Sequence, residues 1–402
     1  MARLSRLVAL AIFVPLFVDG TAAAATTPPT SRSIGKQVSE LKASKTASDG
    51  EFGLSVAIAG SVAVVGAPGT AKGAGLVYVF TASTSGWKQA AELKASSGGF
   101  FGLSVAIAGS VAVVGAPGTS KLAGRAYVFT KTSSGWTQTA ELKGSDTIGS
   151  STSNEYGDQF GGSVAISGTT IVIGAPGHAK DAGRAYVFTK TSSGWRQVAE
   201  LKSAHPAVGG DLGDEFGSSV AISGTTVAVG APDPLGPPGK AYVFTKATSG
   251  WTQAAELKAK SPAALDSFGA SVAVSSTIVA VGDPGQAIGA GRAYVFTKTK
   301  TGWQETAELK ANDTLSDDDL GRAVAVSGTT LVVGAPGYRE DTGRAYVFAK
   351  ATTGWKQTAE LKGSDTAQGD VFGTSVAISN NMAMAGAPQH ADWAGRAYVF
   401  DA

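Results

Sequence analysis

The sequence contains no cysteine, so no disulfide staples the fold and no lipidated cysteine follows the N-terminal apolar run. In a chain of 402 residues none is needed, because the core is large enough without one. Charge is also sparse. Only 16% of residues are charged, and 33 basic against 31 acidic side chains leave a formal net charge of +2. That balance excludes the basic stripe that nucleic acid requires. Histidine is rare. His178, His205 and His390 lie far apart, and none stands in a metal-ligand spacing. G-x-S-x-G elbows, Walker loops and HExxH are absent. No catalytic residue is therefore assigned, and a non-enzyme is expected.

Long apolar runs are missing too, apart from Leu7 to Val18. That run is shorter than the roughly 20 residues of a spanning helix. With Arg3 and Arg6 before it and Ala22 to Ala25 after it, residues 1–25 read as a secretory signal. The signal carries two Arg and Asp19, a net of +1, so its removal takes the formal charge from +2 to +1. A secreted protein without membrane insertion is expected. Residues 26–33 (TTPPTSRS) read as a flexible lead-in.

Glycine is abundant, at 54 residues, among many short Val, Ile and Ala runs. The pattern is that of an all-β chain rich in turns. It is also a repeat. Phe160-Gly161 is followed fourteen positions later by Gly174-Ala175-Pro176, and copies start at Phe52, Phe101, Phe216, Phe268, Leu320 and Phe372. Each unit holds four strand-like runs, A to D. In the third unit these are Gly162–Ser167, Thr170–Gly174, Arg184–Thr189 and Trp195–Lys202. Strand A alternates, as Phe101, Leu103, Val105 and Ile107 against Gly102, Ser104, Ala106 and Ala108. Its second face is small and uncharged, as a sheet buried on both sides requires. Dipeptides such as Ser167-Gly168 and Ala59-Gly60 predict two-residue A–B hairpins, with Ser275-Ser276 and Asn380-Asn381 in units 5 and 7. Pro ends strand B because it has no N–H for the ladder.

The chain ends settle the architecture. Unit 7 stops at Ala402 without a strand D, while Lys36 to Lys42 aligns with strand D of unit 1 and has no A to C. A seven-bladed β-propeller of four-stranded antiparallel blades over residues 34–402 follows, closed by the N-terminal strand 34–42 completing the last blade.

Phe-Gly, Ser-Val-Ala, Val-Gly-Ala-Pro and Gly-Arg-Ala-Tyr-Val-Phe at fixed spacing resemble the FG-GAP repeat family, best known from integrin α-subunit propellers. The resemblance covers Ile34 to Ala402. It implies a seven-bladed propeller and a role in extracellular recognition. Several integrin blades carry an acidic calcium loop between A and B. Here that place holds a two-residue turn, which cannot supply the roughly six to eight oxygens of a Ca²⁺ site. The resemblance is therefore to the bacterial-type branch with short hairpins, and no cofactor is expected.

Asp158, Asp214, Asp266, Asp318 and Asp370 each stand two residues before the Phe or Leu. They read either as a ring of carboxylates at one mouth of the channel or as turn-formers accepting backbone N–H groups. The Arg opening strand C reads as the partner of a nearby carboxylate or carbonyl. The six Gly-Trp pairs read as packing between blades or as glycan platforms. Asp317-Asp318-Asp319, with Asp313 nearby, is either a weak Ca²⁺ site or a solvated loop. D–A and B–C loops share one face and vary most. Tyr156, Tyr338-Arg339 and His390 with Trp393 stand there as candidate binding residues. The expected function is a monomeric binding or adhesion module for an extracellular protein or glycan. The alternatives are a carbohydrate-active hydrolase or lyase at the channel mouth, and a structural surface or matrix protein.

Overall fold

A computed structural model describes residues 33–402 apart from 46–47, 151–156, 205–212, 234–237 and 264–265. The segments read as signal and lead-in lie outside the described residues, except Ser33. Seven antiparallel sheets of four strands are arranged as a closed propeller. Blade 3 shows the pattern, with A at Ser163–Ser167, B at Thr170–Ala175, C at Arg184–Thr191 and D at Gly194–Leu201. Among the described residues no helix is long and apolar enough to cross a membrane.

The first four residues of strand A are buried in every blade, because both faces of its sheet meet a neighbouring blade. Phe160 packs on the tilted ring of Tyr186 and edgewise on Phe188 of its own blade, with ring centroids 5.5 and 6.1 Å apart. The A–B hairpins have two-residue loops, at Asn380-Asn381 in blade 7 as expected and one position later than expected in the other six. Ser167 pairs with Thr170, so Gly168-Thr169 forms the turn. Its first residue takes positive φ, at Gly168 (54°), Ser276 (30°) and Asn380 (53°). The requirement falls on the first loop residue, which glycine meets best.

The signature motif is the joint between blades. The Gly217 amide donates to Gly230 of its own blade at 2.9 Å. The Gly217 carbonyl reaches back to blade 3, where Ser163 Oγ donates to it at 2.8 Å. A Cβ on Gly174 would strike that carbonyl, and a Cβ on Gly217, at φ +96°, would strike the Arg184 carbonyl. Backbones of adjacent blades approach too closely for any side chain at either position. The same Ser bond, at 2.7–2.9 Å, leaves Ser55, Ser104, Ser219, Ser271 and Ser375. Blade 6 has Ala323 there and lacks it.

Ring closure uses the same parts. Residues Gln37–Leu41 pair antiparallel with Arg396–Asp401 as the fourth strand of blade 7. Ser375 donates to Gly53 across the closure. Gln37 Oε1 accepts the Ser364 amide at 2.9 Å, as Gln197 accepts that of Ser145 at 3.0 Å. Arg396 pairs with Glu40 at 2.9 Å, repeating Arg184–Glu200 at 2.8 Å and Arg344–Glu360 at 2.6 Å. The Arg that opens strand C is thus held by a strand D carboxylate and the preceding carbonyl.

Two outcomes test the joint. Removing residues 34–42 strips blade 7 of its outer strand, and the thermal midpoint should fall sharply; an unchanged midpoint refutes closure by this strand. Ala323→Ser supplies the missing seventh hydroxyl and should raise stability by about 0.5–1.5 kcal/mol in urea titration. Ser163→Ala should lower it by about 1–3 kcal/mol, because the Gly217 carbonyl loses a buried donor.

Candidate functional site

D–A and B–C loops form the variable face. Each described B–C loop makes one left-handed helical turn. In blade 3, Ala179 (φ 54°, ψ 51°), Lys180 (φ 58°, ψ 55°) and Asp181 (φ 63°) follow one another in it. For residues with a Cβ this conformation costs about 1–2 kcal/mol each. Hydrogen bonds within the turn, from Asp181 to Gly177 and from Gly183 to His178, hold it. Its last carbonyl accepts the amide of the residue preceding the next blade's Phe, as Glu215 N–H donates to Asp181 at 2.7 Å. The same bond runs to Gly73, Leu122, Gly289, Asp341 and Trp393. The turn is therefore scaffold, and its second residue points the chain outward.

Asp158, Asp266, Asp318 and Asp370 are buried and accept backbone N–H groups from their own loop. The donors are Ile148, Ala263, Leu315 and Ala367, at 2.5–2.8 Å. The carboxylate also takes a side chain from the B–C loop in three blades: His178 Nδ1 at 2.9 Å, Gln286 Nε2 at 2.9 Å and His390 Nδ1 at 2.7 Å. This is the turn-forming role.

The expected site residues divide. Tyr338 is only 4% exposed. Its ring lies under the Arg339 and Arg344 guanidinium groups, 5.2 and 4.8 Å from the centroid, and its hydroxyl donates to Asp313 at 2.9 Å. His390 is held between Asp370 and Asp365. Both side chains are thus turned into the loops and hold them together. Arg339 and Trp393 are exposed. The segment entering blade 7 runs beside Glu340 and Asp341, while the Trp393 carbonyl is bonded to Glu51 of blade 1. Tyr156 lies outside the described residues. The three acids diverge: Asp318 turns into its loop, Asp319 interacts with Arg322, and Asp317 lies against Gly289. Among the described residues, no three His, Asp or Glu groups converge to hold a metal.

Sequence reasoning missed three apolar residues on this face, of which Ile148 is 69% exposed. Ile288 is 83% exposed and Leu315 is 72% exposed. Asp317 N–H donates to the Ile288 carbonyl at 3.3 Å, and Asp318 accepts amides from Leu315 and Arg339. Ile288, Leu315 and Arg339 thus surround one acidic turn at the joint of blades 5 and 6. The signal was a β-branched residue beside Gly289 in a B–C loop, where the backbone takes φ +59°.

Against known proteins, the sequence model of the FG-GAP repeat matches residues 36–80, 87–129, 136–188, 195–244, 251–296, 303–348 and 355–400. A crystal structure of a protein from Lactobacillus plantarum is similar with a TM-score of 0.50 at 11% identity. The match covers 77% of this chain and 85% of that one, and it shows fold alone. No curated protein matches the chain.

Four carboxyls near this face are pushed upward, each first by burial. Glu51 rises to about 7, helped by Asp49. Glu215 rises to about 7, with Asp181 and Asp233 adding to burial and the Ser218 hydroxyl opposing. Asp283 stands where six blades have Ala. It is fully buried, the nearby amides of Ser267 and Gln286 approach its oxygens without well-aligned hydrogen-bond geometry, and it rises to about 7. Asp266 adds to the Asp283 shift, while the amides of Ser267 and Gln286 and the charge of Arg292 oppose it. Asp319 rises to about 6, with the charge of Arg322 opposing burial and Asp317, Asp341 and Asp318 adding to it. The folded chain therefore keeps protons that an unfolded carboxyl releases near pH 4. The stability so contributed is complete below that pH and is lost as pH rises through 6 to 7. The thermal midpoint of Glu51→Gln/Glu215→Gln should consequently fall less between pH 5 and pH 8 than that of the unaltered protein. Equal slopes mean that folding does not hold these two carboxyls above the ordinary carboxylate range.

Proposed function

Because the chain belongs to the FG-GAP repeat family, a scaffold that displays loops, we propose that it is a secreted, non-catalytic propeller. It binds an extracellular protein through its D–A/B–C face. One observation carries the reading. Among the described residues, four of the seven exposed large hydrophobics are Ile148, Ile288, Leu315 and Trp393, all on these loops. The A–B and C–D turns carry none of the seven. Exposed aliphatics beside an Arg suit a protein partner. A glycan would be met by stacked aromatic platforms, and the Gly-Trp residues pack partly buried against the blade cores instead. Secretion rests on the signal-like residues 1–25.

A second reading, a hydrolase or lyase at the channel mouth, draws on Glu51, Glu215 and Asp319. These near-neutral carboxyls stand at one repeat position, immediately before Phe52, Phe216 and Leu320, in blades 1, 4 and 6. Turnover on a polysaccharide panel that is lost in Glu215→Gln would favour it.

The leading reading is tested by capturing the partner from a cell-surface extract and measuring affinity for Ile288→Asp/Leu315→Asp/Arg339→Glu. Affinity should drop about 100-fold, the scale of two or more lost anchors, with the thermal midpoint unchanged. Unaltered affinity rejects this patch.

A further inference from the structure

We propose that the face opposite the variable loops, made by the A–B and C–D turns, is a basic ring that docks flat on an anionic lipid bilayer without entering it. The near-zero net charge of the chain conceals this ring, because the two ends of the propeller differ in charge. From the sixth residue of strand C through the turn to the third residue of strand D, as in Thr189 to Arg196, blades 1 to 6 hold no acidic side chain. The A–B turns hold no charged side chain at all. In blade 7 the corresponding place holds Lys36 and one acid, Asp401, whose amide donates to the Lys36 carbonyl at 2.9 Å.

The cations recur by position. Lys131, Lys190, Lys246, Lys298 and Lys350 occupy the seventh residue of strand C in blades 2 to 6, each directly across from the Trp of strand D. The Lys190 ammonium lies 5.5 Å over the Trp195 ring. Lys88, Arg196 and Lys356 follow the Trp in blades 1, 3 and 6. With Lys36 and Lys300 the ring numbers ten cations, at least one in every blade. All ten are exposed, and among the described residues none enters an ion pair. On the opposite face, Arg125, Arg184, Arg292, Arg344 and Arg396 are instead each paired with a strand D glutamate. Like charges gathered on one side raise a positive potential there, which attracts an anionic partner.

The shape of the face selects that partner. Every A–B turn and each of the six C–D turns has a two-residue loop, so none projects beyond the others. A linear polyanion crossing such a disc meets part of the ring, whereas a bilayer meets all of it at once. Nine of the ten cations are Lys. A compact ammonium suits a diffuse field of head groups better than the bidentate fixing of one phosphate. The loops carry Gly, Ser, Thr, Asn and Lys300 and no exposed large hydrophobic, so the contact is electrostatic and nothing reaches the acyl region. A second copy of the chain is a poorer match, because its variable face mixes Lys72, Lys121 and Lys180 with its acids. Docking in this way leaves the D–A/B–C loops facing outward.

The test is co-sedimentation of the untagged secreted chain with vesicles of phosphatidylcholine containing about 30% phosphatidylglycerol, at about 0.1 M salt. Binding is expected to these vesicles and not to phosphatidylcholine alone, with release at about 1 M salt, where the screening length falls to about 3 Å. Each basic side chain near an anionic membrane strengthens binding about fivefold, so Lys131→Gln/Lys190→Gln/Lys246→Gln/Lys298→Gln should weaken it by about 100-fold or more, with the thermal midpoint unchanged. Lys72→Gln/Lys121→Gln/Lys180→Gln, on the opposite face, should leave it unaltered. The proposal is overturned by absence of binding to anionic vesicles, by binding that persists at high salt, or by equal losses in the two variants. Self-association at low salt, or retention on heparin or duplex DNA, in place of vesicle binding overturns it too.

Discussion

Everything in this propeller depends on one close approach between backbones. The carbonyl of the Phe-Gly glycine in each blade lies against the glycine of Gly-Ala-Pro in the blade before it. No side chain fits between them. Around the ring the neighbouring positions vary: Leu320 replaces Phe, Ala323 replaces Ser, Asp283 replaces Ala and Gln389 replaces Gly. The two contact glycines are the same in all seven units. Side-chain packing in the interior tolerates exchange of similar volume, whereas backbone contact does not. The order of constraint therefore runs from backbone joint to core to loop, and freedom to vary increases along it.

A second effect of the joint is conformational. To meet the next blade, each described B–C loop turns left-handed, and the residue before each Phe or Leu also takes positive φ, except at Ser267. These residues do not supply a ligand site by being strained. The strain recurs from blade to blade and is offset by the same inter-blade hydrogen bond each time. What the turn does is display its second residue, which is Lys72, Lys121, Lys180, Ile288, Glu340 or Asp392. One geometry thus presents cations, an aliphatic and acids around a single face. Such a face suits recognition, which needs chemical variety on a rigid frame.

The fold was legible because it is periodic. Seven copies of one spacing, and a strand D that is orphaned at one end and missing at the other, left little freedom in architecture. The site was harder to read, for physical reasons. Tyr338 and His390 looked like surface anchors, because aromatic and charged residues in variable loops are usually exposed. In three dimensions the buried Asp370 and the hydroxyl-seeking Asp313 draw both inward. Ile288 was passed over because one apolar residue in a loop carries no periodicity. Its exposure follows from the left-handed turn, which the sequence alone does not announce. His178 shows the same limit. Its carboxylate neighbours are 32 and 20 residues away and meet it only where two loops cross.

The position occupied by His178 shows how a repeat scaffold admits chemistry. Through the described blades it holds Thr70, Thr119, His178, Gln286, Tyr338 and His390. The position facing it from the D–A loop holds Lys45, Ser97, Asp146, Ser261, Asp313 and Asp365. The two lists are coupled. An outer aspartate occurs where the partner is His or Tyr, and a shorter or basic residue occurs where the partner is Thr or Gln. Drift on a tolerant surface would not keep such pairs in step. Coupling of this kind is what a direct interaction between the two loops imposes, by hydrogen bond at Tyr338–Asp313 and across the wider gap at His178 and His390. The joint between blades is indifferent to both positions, so their pairing reflects what the loops themselves must hold.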